Sequence, residues 1–510
     1  MENMIEDRWY LFACASGLAF ILTFYPFYLW PLCFVALVPL IAVAATNVPL
    51  KKIFLAGAIA VAMVVFLIGF LIAIQFHWAP ATATFMFAAT YGAVTVGTLI
   101  YATLFGLWLV AYRVLRSSSF LLHSLAGATL YALCERVAQV LLGGYYLPSL
   151  AHSAVSFLPL AGFASIGGAS VVTAIIVWIN IALVQFILYP SKRVKTLQHV
   201  GSVLVVLALL GVGSHYYSES QNREQRPFTV AVVQISSPEE RVFATTTQNG
   251  VITFPKLAET FTQAAKTSPD LIVYPESLIM GIADEKTIAL WMKHNAPKNI
   301  VIATWDNVAR DGKVFTGYNF WRNGEKIGEL YKQELVPFMD YTPMWARPIE
   351  LSSMSFDVSP APVHQTVLIE DTRVGGLVCS EAHRPNLART EANKSNLILA
   401  ATSDAMFIDD GVGLYTLASA RYRAIENNVP VIRASLMGTS AFIQADGSLA
   451  GVTPLWSGGI PRSTLTVYAS HSSVFSKTGN TPFFLLAGIL LLLAFVKARR
   501  EKIKSPGIPV

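Results

Sequence analysis

Three side chains stand where an apolar run ends in the polar half of this chain. Glu276 follows Leu271-Ile-Val-Tyr-Pro275, Lys332 follows Ile327-Gly-Glu-Leu-Tyr331, and Cys379 follows Gly375-Gly-Leu-Val378. An acid, a cation and a thiol are the set that acyl transfer through sulfur needs. A carboxylate takes the thiol proton, the thiolate attacks a carbonyl, and a cation steadies the oxyanion that forms. Each residue alone has a plainer reading: a Pro-Glu turn, a solvated lysine after a hairpin, a buried structural thiol. Their joint occurrence at strand ends, where α/β sheets gather ligands, is the informative observation. Cys379 is also unusual in being alone. Cys14, Cys33 and Cys134 fall in long apolar runs, so it has no partner in its own half of the chain. No second cysteine or histidine pair stands near it at ligand spacing, so a metal site is not expected.

The elements around these residues read as alternating strands and helices. Phe228–Ile235, Leu271–Tyr274, Asn299–Thr304, Val374–Cys379, Asn396–Thr402, Val429–Ser435 and Ala441–Gln444 have strand character, rich in β-branched residues. Asn323-Gly324 between Lys313–Trp321 and Lys326–Tyr331 is a hairpin signal, and Ala445-Asp446-Gly447 marks a second turn. Helical stretches separate several of the strands. The pattern predicts a layered α/β domain with a mixed sheet.

The rest of the chain is different in kind. Of 510 residues, 54% are hydrophobic and 13% charged, against about 25% charged in soluble domains. Apolar runs near 10–25, 29–46, 53–74, 84–112, 120–142, 162–189, 199–217 and 481–497 are candidates for eight membrane spans. The expected organisation is a transmembrane helical domain over 1–217, a soluble domain over 218–479, and an anchor with a basic tail over 480–510. The first run is not expected to be a cleavable signal, because acidic residues flank Arg8 and no small-residue cleavage site follows. Lys51-Lys52, Arg113 with Arg116, Lys192-Arg193 with Lys195, and the tail from Lys497 fall on alternate sides of the spans. The positive-inside bias then puts both termini in the cytoplasm and the soluble domain outside. This basic rim accounts for most of the pI near 9.0, so nucleic-acid binding is not expected. Glu135 and Arg136 interrupt the fifth run and are costly in lipid; a position near its outer end would let them snorkel.

LIVYPES, YKQELVPFMDYTP and GGLVCSEA resemble the three motifs of the nitrilase, or carbon-nitrogen hydrolase, superfamily. Leu335–Tyr341, Ser403-Asp-Ala-Met-Phe407, the segment ARYRAIENNVPVIRAS at 420–435 and FYPFYLWPLCFVALVPL at 24–40 resemble its apolipoprotein N-acyltransferase branch. The resemblance covers nearly the whole chain. It implies an αββα sandwich inserted before the last of eight spans, on the periplasmic side of a bacterial inner membrane. It also implies a Glu276, Lys332, Cys379 triad, with Asp340 and Glu381 as supporting carboxylates. The implied reaction takes an acyl chain from a phospholipid, through a thioester on Cys379, to the α-amine of a diacylglyceryl-cysteine at a lipoprotein N-terminus. No cofactor, no nucleic acid and a monomer go with it. The sequence departs from the branch at several places. Glu334 stands where His is usual, Met339-Asp340 where Gly-Glu is usual, and Ser380 where Tyr is usual. Ser403-Asp-Ala-Met-Phe-Ile408 replaces Asn-Asp-Ala-Trp-Phe-Gly, and Leu436-Met-Gly438 replaces Asn-Thr-Gly. Because both substrates are lipids, Met344-Trp345 and Leu351–Phe356 read as a loop that dips into the membrane interface; a helix packed on the domain core would have the same pattern. Two other functions compete: an anchored amidase of the same superfamily, and a diverged assembly factor for secretion or conjugation.

Overall fold

The computed structural model describes residues 2–24, 27–75, 83–142, 149–234, 254–276, 285–337, 340–342, 344, 357–361, 366–404, 411–454 and 457–504. It divides into two compact units. One comprises Met1–Ile74, Ala89–Tyr217 and Lys477–Val510, the other Gln75–Ala88 and Ser218–Ser476.

The first unit is helical. Among the described residues five helices are long and apolar enough to cross a membrane: Leu50–Phe70, Tyr91–Val114, Ala169–Leu188, Pro190–Gln221 and Thr481–Ile503. The other three expected spans take different forms. Phe120–Leu141 is a 22-residue helix, but Glu135 and Arg136 dilute its apolar character. Trp9–Ile21 and Trp30–Ala45 are shorter. The second is a 3₁₀ turn, Trp30–Phe34, followed by a helix, Val38–Ala45, each with a proline in its first turn. Proline lacks the amide a continuing helix needs but suits a helix start, so the chain halts and begins again. The backbone groups freed by this break are bonded by Asn180. Its Oδ1 accepts from the Leu37 amide and its Nδ2 donates to the Cys33 carbonyl, both at 2.9 Å. Glu135 is not at the surface. It is buried and accepts from the Leu150 amide at 2.9 Å and Thr173 Oγ1 at 3.0 Å. These bonds give a carboxyl at that depth its partners.

The second unit is a sandwich of two six-stranded mixed sheets. The strands are β1 (Arg223–Val232), β2 (Leu271–Val273), β3 (Val301–Arg310), β4 (Lys313–Arg322), β5 (Glu325–Tyr331), β6 (Val367–Ile369), β7 (Thr372–Val378), β8 (Leu397–Ser403), β9 (Val431–Leu436), β10 (Ala441–Ile443), β11 (Leu449–Val452) and β12 (Arg462–Ser470). The first sheet runs β12-β1-β2-β3-β4-β5 and the second β11-β10-β9-β8-β7-β6. In each, three neighbouring strands are parallel (β1, β2, β3 and β7, β8, β9) and hairpins extend the sheet. The Asn323-Gly324 turn forms as its sequence predicts, with φ of 53° and 82°. Side chains from both sheets interdigitate in one core that includes Phe228, Val273, Tyr318, Val378, Leu399 and Leu465. Helices Phe254–Ala265 and Glu285–Asn295 cover the outer face of the first sheet, and Pro385–Ala392 and Gly411–Asn427 that of the second. Strand β12 pairs along nearly all of β1. Its sequence, Arg-Ser-Thr-Leu-Thr-Val-Tyr-Ala-Ser, buries only Leu465 and Val467, and so gives a weak apolar signal.

Candidate active site

The three candidate residues leave the ends of three strands. Glu276 follows β2 and Lys332 follows β5 in one sheet, and Cys379 follows β7 in the other. The sheets come close at this point because β7 carries glycine. A Cβ on Gly376 would lie 3.1 Å from the Leu330 side chain of β5, in the facing sheet. The chain then turns sharply at Cys379, which has a φ of 57° and opens a short 3₁₀ segment, Cys379–His383. A left-handed backbone at a residue with a Cβ costs about 1–2 kcal/mol. It turns the thiol out of the strand row, although Cys379 still packs against the inter-sheet core.

The electrostatics of the cluster follow from its burial. Burial pushes the Glu276 carboxyl up to about 7; Lys332 opposes the rise and Asp340 adds to it, while hydrogen bonds from the Cys379 thiol and the Ser403 amide lower it. Burial also pushes the Cys379 thiol up to about 12, with Glu276 adding to the rise and Lys332 and the Ser380 amide opposing it. Burial works against the charge on Lys332, yet Cys379, Asp340 and Glu276 around it hold its pKa above the usual lysine value. At neutral pH the thiol therefore rests protonated beside a carboxyl poised near neutrality, with a fixed cation facing both.

Both supporting carboxylates join this cluster, in different ways. Asp340 Oδ2 lies 2.7 Å from Lys332 Nζ and accepts from the Val336 amide at 2.6 Å. Glu381 is fully buried and, among the described residues, binds backbone amides. Its Oε1 accepts from the Gln333 and Glu334 amides at 2.6 and 2.8 Å, and its Oε2 from the Val378 amide at 2.7 Å. Glu381 thus ties the residues just after Lys332 to the residue just before Cys379. The sequence presents these carboxylates as turn charges and gives no sign of this division of labour.

Other groups near the site lie in segments that the sequence marks only as motifs, or carry no sequence signal. Ser403, at the end of β8, supplies the amide that meets Glu276. The next residue, Asp404, is locked to β9: its amide donates to the Leu436 carbonyl at 3.0 Å, and its Oδ2 accepts from Arg433 Nη2 at 2.7 Å and Ser435 Oγ at 2.6 Å. Gly438 packs over the same carboxylate so closely that a Cβ would fall 2.1 Å from Asp404 Oδ2. Tyr318 of β4 is buried, and both Glu276 and Cys379 act on its hydroxyl electrostatically. Glu334 pairs with Arg384 at 3.0 Å. Met344 is exposed, whereas Trp345, the expected interfacial stretch Leu351–Phe356 and the motif residues Met339 and Met406–Ile408 lie outside the described residues.

Residues 229–471 match the Carbon-nitrogen hydrolase family, and residues 16–182 match the Apolipoprotein N-acyltransferase N-terminal domain. The apolipoprotein N-acyltransferase of Geobacter metallireducens is 28% identical over 482 residues, spanning 89% of this chain and 88% of that protein. The chain belongs to the apolipoprotein N-acyltransferase family. Haemophilus influenzae has a further member, 24% identical over 527 residues and 96% of each chain. Among solved structures, a CN-hydrolase superfamily protein from Xanthomonas campestris is similar at 16% identity and a TM-score of 0.34, over 47% of this chain and 90% of that one. Membership in this family joins the sandwich and the apolar helices in one kind of protein, a bacterial membrane acyltransferase.

Proposed function

We propose that this chain transfers an acyl chain from a phospholipid to the N-terminal amine of a diacylglyceryl lipoprotein, through a thioester on Cys379. The observation that carries this reading is the meeting of Glu276, Lys332 and Cys379 in one buried cluster, in a chain whose relatives along most of its length are apolipoprotein N-acyltransferases. Glu276 removes the Cys379 proton as the sulfur attacks the phospholipid ester carbonyl. Lys332 and the Ser380 amide receive the oxyanion charge. The intermediate collapses, the glycerol oxygen leaves with the proton held on Glu276, and lysophospholipid departs. The lipoprotein amine then attacks the thioester and gives a proton to Glu276, and Cys379 is released and reprotonated. Asp340 keeps Lys332 in place, and Glu381 holds the two chain segments that carry Lys332 and Cys379 in register.

The soluble sandwich is assigned to residues 218–479, between a membrane domain over 1–217 and an anchor over 480–510. Eight spans, cytoplasmic termini and a periplasmic sandwich satisfy the alternation of basic loops. The enzyme is assigned as a monomer. The many apolar helices set it apart from an anchored amidase, which needs a single span, and the family match disfavours the assembly-factor reading.

The test is to give the purified full-length protein phospholipid alone and weigh it intact. One acyl chain is expected on Cys379, and none on Cys379→Ala. Added diacylated lipopeptide should then take the acyl group on its amine. Fatty acid released at the same rate with and without the peptide would establish a hydrolase instead, and a folded protein that gains no acyl chain would overturn the assignment.

A further inference from the structure

Polar atoms buried without a hydrogen-bond partner are uncommon in folded proteins, and each calls for an explanation. Among the described residues, Glu276 Oε2, Trp305 Nε1, the Tyr318 hydroxyl and Ser380 Oγ are all of this kind. Two of these residues belong to or adjoin the triad. The other two form an edge-to-face pair with ring centroids 5.3 Å apart, Trp305 on β3 and Tyr318 opposite it on β4.

Tyr318 is the most informative of the four. Its side chain points between the sheets, into the same core on which Cys379 packs. Strand β4 also lies beside the strand that delivers Lys332, whose amide donates to the Thr316 carbonyl at 2.8 Å. The hydroxyl is near enough to Glu276 and Cys379 for both to raise its pKa, after burial as the larger cause. Even so it bonds neither of them, and Glu276 Oε2 is left unpartnered as well. A donor and an acceptor that face one cluster without bonding each other are both available to a bound group. Burial keeps the phenol protonated at working pH, so its hydroxyl is available there as a donor.

We propose that Tyr318 is a further catalytic residue, whose hydroxyl donates to the acyl carbonyl oxygen as negative charge gathers there during attack by Cys379. It shares the oxyanion with Lys332 and neither gains nor loses a proton. The proposal rests on the triad reading above. It also gives the buried hydroxyl a partner, which phenylalanine could not serve. An orphaned buried donor lowers stability in the free enzyme, and a bond made only in the transition state raises the rate.

The test compares wild type with Tyr318→Phe, supplying phosphatidylethanolamine in detergent micelles and following the acyl adduct by intact mass. The variant should form the adduct about 10²-fold more slowly, the loss typical of one missing oxyanion donor. Its melting temperature should equal or exceed that of wild type, and the pH at which the rate rises should not move. An equal rate would overturn the assignment of Tyr318 alone. A lower melting temperature alongside the slower rate would make the hydroxyl structural, and a shifted pH limb would make it a positioning group for Glu276; either overturns the proposal. No adduct on wild type overturns the triad reading, and Tyr318 with it.

Discussion

Lys332 and Asp340 form a buried ion pair, with Nζ 2.7 Å from Oδ2 and side chains 3% and 12% exposed. The same oxygen accepts from the Val336 amide, so Asp340 folds the segment after β5 back onto the lysine. Removing one member of a buried pair leaves the other charge without compensation, which costs about 3–5 kcal/mol. Asp340→Asn keeps an oxygen for Val336 but loses the charge. It should lower the melting temperature and slow acylation of Cys379, as followed by thermal denaturation and intact mass. An unchanged melting temperature would mean that the pair does not hold Lys332.

Glu381 tests a different kind of support. Among the described residues its two oxygens accept three backbone amides and no bond from the Glu276, Lys332 or Cys379 side chains. Glu381→Gln substitutes an NH₂ for one oxygen and so sets a donor against an amide donor on one side. Hydrogen bonds to a charged acceptor contribute about 1.5–3 kcal/mol each, so a loss of about that size is expected in denaturant unfolding. Activity should fall because the Cys379 turn and the segment after Lys332 lose their common tie. Retained activity with lowered stability would show that the tie is structural only.

Much of this site was legible because its chemistry sits at the ends of apolar runs. LIVYP, IGELY and GGLV each mark a strand, and a strand's end fixes where the next side chain goes. What was not legible depends on pairing across sheets. Tyr318 lies mid-strand between Gly317 and Asn319, where a tyrosine reads as core. Its relation to Glu276 and Cys379 appears only once the two sheets are stacked. Asp404 and Arg433 are 29 residues apart and meet across β8 and β9, a parallel contact without a local signal. Strand β12 is faint in the sequence because an edge strand with two buried side chains has little apolar contrast. In the helical unit, Pro31 and Pro39 divide a run that hydropathy alone reads as continuous. Glu135 is an ordinary charge in sequence, and only the positions of Thr173 and the Leu150 amide explain how it is buried.

The orientation proposed for the chain rests on charge and is open to a direct check. Reporter fusions near Asn249 and after Val510 should report opposite compartments, outside for the first and cytoplasmic for the second. This expectation is drawn from the basic residues of the short loops and of the tail from Lys497. Equal signals from the two fusions would rule out eight spans with the sandwich before the last.

Glu276 should show opposite pH dependences in stability and in activity. Burial raises its folded-state pKa from 4.5 to about 7, so the folded protein holds this proton more tightly than the unfolded chain does. The preference stabilises the fold in full below about pH 4.5 and is lost as pH rises through about 7. Activity runs the other way, because a base must give up its proton before it can accept one from Cys379 or from the amine. Acyl-adduct formation should therefore increase through pH 7 while the melting temperature declines. Glu276→Gln has no proton to lose at this position. It should be inactive at every pH, lose stability less steeply between pH 5 and 8 than wild type, and equal or exceed wild type at the upper end. Glu381 is displaced in the same direction by its burial, so the variant keeps part of the decline. A variant whose stability falls as steeply as wild type's would mean that Glu276 does not titrate in this range. Its assignment as the base would then fail.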